Sequence, residues 1–453
     1  MPQILLAAGI VAARLLSPPL RVWALLAVAA ASPALLLCLP REPVLARVGE
    51  HRSSDDELIA FLEGATNTVS VRQLANGHNV LEINLINVAG TTPQLISTQK
   101  LQAHLPLMMH PDPRSVLHIG FGSGGTAYAV SRHPVEKIDI VEITPDVVRM
   151  ADRHFPHINR GVVDDPRVRF LWGDGRNYLL TATERYDVIL SDSIHPAHSA
   201  GNGNLYTVEY FRHAASRLEP DGIFSVWFPM YGLTPDNFQQ ILKALAEAFA
   251  HVSVWYAHDT VNRWVLVTGS QNPDFALPGS STMDARFEIP EVREDLGEIG
   301  YTHALNLLDN LILGDRALRQ ALADVEPHHD DLPRAEYESS RHGALRQNWL
   351  DSFDWLLQHR ESFDDYLADP GEWSAERVKR HALASASVMR AHRAYVNCEG
   401  ESALELGAQA LEQLPGYHKA RTFMAARRGP KGGLTRPGWC VPERPRSRRP
   451  DAP

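Results

Sequence analysis

The chain has 453 residues, 44% hydrophobic and 22% charged, enough for two or three domains around one sizeable core. A net charge of −10 and a pI near 6.1 exclude a general nucleic-acid binder, and no long basic stripe crosses the central region. The three cysteines, Cys38, Cys398 and Cys440, lack metal-ligand spacing and cannot build a disulfide framework, which points to a reducing compartment.

Val22 to Leu39 is almost wholly apolar, broken only by Ser32 and Pro33, and is flanked by Arg21 and Arg41. Its length is near the roughly 18–20 residues that span a bilayer, so residues 1–40 read as a membrane anchor. The competing reading is a hydrophobic helix packed on the globular part. No basic region precedes the earlier apolar run at Ile4, which argues against a cleaved secretory signal. Residues 41–67 read as a polar connector with the acidic run Ser53–Glu57.

Over residues 68–110 the alternating segments VSVRQL and NVLEINLINVAG flank Asn76-Gly77, the pattern of a β-hairpin with a tight turn, and a helix follows over Thr98–His110. From Ser115 to Ser270 strands and helices alternate. The strands are SVLHIG, IDIVEI, VRFLWGD, YDVILSD and GIFSVWF, and VSVWYA with RWVLVTG forms a final antiparallel pair. Helices are expected from Thr126–Arg132, over Pro145–His154, over Tyr206–Leu218 and over Asn237–Phe249. This alternation predicts an α/β, Rossmann-like, mainly parallel sheet with helices on both faces, over residues 111–345. A helical run is expected around Ala304–Leu322. Residues 346–428 read as a helical extension with one tetratricopeptide-like fragment, and 429–453 as a disordered tail.

Ligands of such sheets sit beyond the carboxyl ends of the strands. Glycines Gly120, Gly122 and Gly124 follow the first strand, and Glu142 ends the second, where an acid can grip paired ribose hydroxyls. Asp174 with Gly175 ends the third strand, where the carboxylate can accept from an adenine amino group, and Asp192 ends the fourth. No lysine-serine or lysine-threonine pair follows the glycines, so a triphosphate cradle is excluded. A dinucleotide fits the first two features, but the Asp174-Gly175 corner favours an S-adenosyl ligand. The bland alternative is that the glycines only turn the chain and the acids only cap strands.

These segments resemble the polyamine aminopropyltransferases, the spermidine and spermine synthases. The resemblance runs from about Thr68 to Arg341 and is strongest over Leu101–Gly269, through HLPLMMHPDPRSVLHIGFGSGG, IVEI, GDGRNYL, YDVILSD, LYTVEYF and LEPDGIFSVW. His329–Arg341 looks like the end of the synthase-like domain in membrane-fused bacterial members. The resemblance implies aminopropyl transfer from decarboxylated S-adenosylmethionine to a small amine, with no prosthetic group and no metal. It makes Asp192 the general base and Gly120, Gly122, Gly124, Glu142, Asp174 and Gly175 the donor site. Tyr206 and Glu209 fall at the family's helix start beside the substrate pocket, with Gln99 and Ser123 lining it. Members are often dimers, so a homodimer is the implied assembly, with a membrane-anchored chain and a cytoplasmic catalytic domain.

Three positions depart from the family pattern. Ser123 stands where the glycine turn normally carries an aspartate, His195 replaces the second loop aspartate, and Lys100 falls where an upstream acid is expected. Each lost carboxylate–ammonium contact costs on the order of 1–3 kcal/mol of amine binding. His195 is open to two readings, a proton acceptor or a loop residue that closes the pocket. Two further functions stay in view on the same fold: an S-adenosylmethionine-dependent methyltransferase and a non-catalytic nucleoside-binding domain.

Overall fold

A computed structural model describes residues 55–64, 67–197, 201–342, 346–367, 369–427 and 440. The expected membrane segment 22–39, most of the connector 41–67 and, apart from Cys440, the tail 429–453 lie outside these residues. Among the described residues no helix is long and apolar enough to cross a membrane.

The first sheet holds β1 (Glu57–Glu63), β2 (Thr68–Gln73), β3 (Asn79–Ile83) and β4 (Ile86–Gly90) in that order. The Asn76-Gly77 turn forms as expected: Gly77 adopts a φ of +83° and its N–H donates to the Leu74 carbonyl at 2.8 Å. The expected single hairpin is corrected to three antiparallel strands, because the second run breaks at Asn84-Leu85, whose φ angles are +50° and +71°. The Asn84 side chain accepts the Thr68 N–H at 3.0 Å, which helps hold this second turn. Val69, Val71, Leu81 and Ala89 bury one face of the sheet against Val147, Met150 and Phe155.

Helix α1 (Pro93–Met109) starts on a Thr92 cap with proline at its first position, and from Ser97 onward every residue is buried. The main sheet has the order β12-β10-β11-β9-β8-β5-β6-β7. Its parallel half contains β5 (Ser115–Ile119), β6 (Lys137–Glu142), β7 (Val168–Trp172), β8 (Tyr186–Ser191) and β9 (Leu218–Pro229). The antiparallel half adds β10 (His251–Trp255), β11 (Trp264–Ser270) and β12 (Leu311–Leu313). The mainly parallel expectation is met by five strands and the expected antiparallel pair by β10 and β11; edge strand β12 is the addition. Helices α2 (Gly125–Ser131), α3 (Pro145–His154), α4 (Gly175–Thr181), α5 (Val208–Ser216) and α6 (Pro235–Ala248) connect the strands. One face packs Val116, Ile138, Ile140, Val188 and Leu190 under α1 and α2, and the other packs Leu117, Ile189 and Phe224 against α5 and α6.

The run Ala304–Leu322 is not one helix. Edge strand β12 divides it into Leu305–Leu308 and Asp315–Ala321, because pairing with β10 satisfies the backbone there. The helical extension comprises Arg346–Gln358, Ala375–Val396, Gly400–Gln413 and His418–Arg427. It is fastened to the sheet by the fully buried Asp309. Lys419 donates to Asp309, to the Asn306 carbonyl at 2.8 Å and to Asn310 Oδ1 at 2.7 Å, while Tyr417 donates to Asp309 at 2.8 Å. The expectation of unbridged cysteines is corrected: Cys398 and Cys440, 42 positions apart in the sequence, form a disulfide.

Candidate active site

The strand order reverses at β5. Chain direction runs β5-β6-β7 to one side and returns through β8 on the other, so a crevice opens at the β5/β8 ends. Backbone bonds knit the four tips together: Gly120 N–H to the Val141 carbonyl at 2.8 Å, Gly173 N–H to the Glu142 carbonyl at 3.0 Å and Asp192 N–H to the Ile119 carbonyl at 2.9 Å. The glycine turn, Glu142, the Asp174-Gly175 corner and Asp192 are thereby neighbours along one edge.

Glu142 is buried at the tip of β6. One carboxylate oxygen accepts the Phe121 N–H at 2.9 Å and the other the Thr144 N–H at 2.8 Å. Burial pushes this carboxyl up, against the pull of the two backbone donors. Each oxygen keeps a second lone pair, so the group can still accept from paired hydroxyls. Beside it, Ile143 and Trp172 are exposed, at 52% and 55%, and Trp172 stacks on Phe170 with the planes 7° apart. Exposed apolar surface next to a hydroxyl-accepting acid suits a planar base attached to a sugar.

Asp174 caps α4, accepting the Asn177 N–H at 2.8 Å. Gly175 follows because the helix meets β5 closely: a Cβ there would lie 2.3 Å from Ile119 Cγ2. Gly120, Gly122 and Gly124 adopt φ angles of +85°, +56° and +83°. Asp192 has a side chain about one quarter exposed and accepts from Thr126 Oγ1 at 3.3 Å.

Ser123 donates to Gln99 Oε1 at 3.0 Å, so these two expected pocket residues do meet, as a neutral pair. Lys100 turns elsewhere. It pairs with the buried Asp295 and with Glu298 at 3.1 Å, and Asp295 also binds His104 at 2.8 Å. Its cation is already neutralised by two acids far along the chain.

His195 is buried, with Nε2 2.8 Å from the Tyr231 carbonyl and Nδ1 3.1 Å from the Ala197 N–H. That pattern assigns the proton to Nε2 and engages both nitrogens with backbone, the geometry of a loop-closing residue. Tyr206 is buried and its hydroxyl reaches the carbonyls of Ser193 and Ile194 at 3.4 and 3.3 Å, tying down the loop after Asp192. Glu209 holds the segment 328–331: its carboxylate meets His329 at 2.9 Å and the Asp330 N–H at 3.2 Å. Asp330 in turn accepts from Arg176 and, at 2.7 Å, from Thr207. Tyr206 and Glu209 thus frame the crevice by holding its walls. Sequence reasoning missed Thr126 and His118; a histidine amid the apolar residues of VLHIG was the available signal.

The spermine/spermidine synthase domain matches residues 96–269. A polyamine aminopropyltransferase of Sodalis glossinidius is 34% identical over 194 residues, which cover 42% of this chain and 67% of that protein. This chain belongs to the spermine/spermidine synthase family. Another relative within it, the polyamine aminopropyltransferase of Nitrosomonas europaea, is 30% identical over 186 residues, 40% of this chain and 57% of its own length. The chain spans about two thirds of the first of these relatives and a little over half of the second. A spermidine synthase crystallised with the transition-state analogue AdoDATO is 24% identical, with a TM-score of 0.43 over 53% of this chain and 88% of that one. Within the family domain lie the glycine turn, Glu142, Asp174, Asp192, Gln99, Ser123 and Lys100, all inside residues 96–269.

Proposed function

We propose that this chain transfers the aminopropyl group of decarboxylated S-adenosylmethionine to a small amine, with Asp192 as general base. The observation that supports the reading is the adjacency of four strand tips, which brings Glu142, Asp174 and Asp192 to one edge of the sheet. The reaction is a substitution at carbon. The amine nitrogen attacks the methylene beside the sulfonium, the carbon–sulfur bond breaks, and its electron pair leaves with a neutral thioether.

The amine must first be neutral. For an alkylamine with a lysine-like pKa of about 10.4, that costs roughly 4–5 kcal/mol at pH 7. The amine enters neutral, its first proton left to water; Asp192 orients the nitrogen, meets the positive charge forming there as a carboxylate, and takes the proton the nitrogen sheds as the new bond forms. Glu142 and Asp174 hold the ribose and adenine, with Ile143 and Trp172 as the apolar wall. The neutral Ser123–Gln99 pair provides no anion for the donor's ammonium, so the decarboxylated donor is held less tightly than at a site with an aspartate there. His195, Tyr206 and Glu209 act as framing residues in this reading.

Ser123 also favours a second reading, an S-adenosylmethionine-dependent methyltransferase, because the intact donor carries a carboxylate where an aspartate would repel it. The deciding experiment is mass spectrometry of products after incubation with each donor and a panel of amines. Aminopropylated amine supports the first reading, and methylated product with no aminopropyl adduct replaces it with the second. Binding of methylthioadenosine without either product would leave a nucleoside-binding domain. Attachment to a membrane through residues 22–39 and a homodimer belong to the same proposal. The Cys398–Cys440 bond argues against the strictly reducing surroundings read from the sequence.

A further inference from the structure

The reaction above leaves His118 unused. This residue is the last but one of β5, beside Ile140 on β6 and Leu190 on β8, and is fully buried. Neither ring nitrogen has a hydrogen-bond partner among the described residues. Burying an imidazole this way opposes folding, and an aliphatic side chain would fill the same apolar layer without that cost. A buried polar group left unsatisfied calls for an explanation in function.

Its nearest charged neighbour supplies one. His118 Nε2 stands 3.8 Å from Asp192 Oδ2, just beyond hydrogen-bond length. Glu142 is the second carboxylate whose field it shares. From the helices above this face, Thr126 on α2 donates to the same Asp192 oxygen at 3.3 Å, and Gln102 on α1 donates to the Ser191 carbonyl at 3.1 Å. The titratable groups of α1 are committed elsewhere, His104 to His133 and Asp295 and Lys100 to Asp295 and Glu298. Among the described residues, the charged groups placed against the ring are the carboxylates Asp192 and Glu142.

We propose that His118 is a positioning residue for Asp192, holding its carboxylate and storing the proton that Asp192 takes from the attacking amine. The proposal rests on the transferase reading. As the nitrogen–carbon bond forms and the carbon–sulfur pair departs with sulfur, the amine proton moves to Asp192 and from Oδ2 to His118 Nε2. The products are a neutral amine, a neutral thioether and an imidazolium flanked by two carboxylates. The proton returns through Asp192 to water when product leaves. A shift of about 1 Å by the partly exposed Asp192 side chain closes the gap to hydrogen-bond length.

Two measurements on the full chain test this. In the first, ring signals of isotope-labelled histidines are followed against pH in wild type and Asp192→Asn, with His118→Asn to assign the His118 signal. A shared proton predicts a midpoint that falls by about one pH unit or more in Asp192→Asn. An unmoved midpoint overturns the pairing whether or not the protein is a transferase. In the second, His118→Phe and His118→Gln are compared, each first shown to bind methylthioadenosine as wild type does. Turnover in His118→Phe should fall about ten-fold or more and lose its acid limb. His118→Gln, which can position but not store a proton, should recover KM while leaving kcat low and the limb absent. Wild-type turnover and pH profile in both variants overturn the proposal. If wild type itself transfers nothing to any amine, the transferase reading falls and the first measurement alone decides the pairing.

Discussion

Gly120 and Asp192 are in contact across β5 and β8: a Cβ on Gly120 would stand 2.8 Å from the Asp192 backbone oxygen, and the glycine holds a φ of +85°. The first glycine of the turn therefore sets the position of the proposed base as well as the path of the chain. Gly120→Ala adds left-handed strain of roughly 1–2 kcal/mol and a clash with backbone. Turnover should fall by more than methylthioadenosine affinity does, as read by product mass spectrometry beside calorimetry. Equal losses in both would confine the glycine's role to the nucleoside.

Glu142→Ala removes an acceptor that serves both ligand and fold. Nucleoside affinity should drop by roughly one to two decades. Because the Phe121 and Thr144 amides lose their partner, the thermal midpoint should drop as well. Calorimetric affinity equal to wild type would mean that the ribose lies elsewhere.

Asp192→Asn keeps the shape of the loop and removes the base. Aminopropyl transfer should fall by about 10²-fold or more, with methylthioadenosine binding within a factor of about three. Retained transfer would assign proton removal to another group.

Ser123→Asp tests donor choice directly. Gln99 accepts from Ser123 now, and rotation of its amide would let it donate to a carboxylate instead. Competition binding should then move about ten-fold or more toward the decarboxylated donor over the carboxylated one. No change in that ratio would place the donor's tail away from Ser123.

Acid stability reports the buried network behind Lys100. Burial pushes the Asp295 carboxyl up, but the hydrogen bond from His104 and the charge of Lys100 outweigh it and bring it down to about 2. The folded value lies below the unfolded one, so this stabilisation is complete above about pH 4 and is lost as pH falls toward 2. Urea unfolding should lose about 2 kcal/mol over that window, and Asp295→Asn should remove the step. An unchanged pH slope in the variant would assign the acid loss to other carboxylates.

Local patterns made much of this molecule readable. Alternation and glycine placement located β5 and β6, and Pro145–His154 was delimited by its proline and its closing histidine. The strand-end acids were legible because a parallel sheet collects its strand tips at one edge. What escaped depends on partners distant in the chain. Lys100 looks like an unwelcome cation until Asp295, 195 positions later, is brought beside it. Leu85 adopts a left-handed turn that leucine composition does not advertise, and β12 is a strand because β10 pairs with it. His195 is open to two readings in sequence, and its contact with the Tyr231 carbonyl, distant in the chain, favours the loop-closing one.

The Asp309–Lys419 contact has a bearing on biosynthesis. The acid is made 110 residues before the cation that neutralises it. A nascent chain can lay down every strand of the main sheet and still hold Asp309 without Lys419, and a buried pair missing one partner costs about 3–5 kcal/mol. Docking of the helix His418–Arg427 is thus what completes the charge balance of the sheet edge.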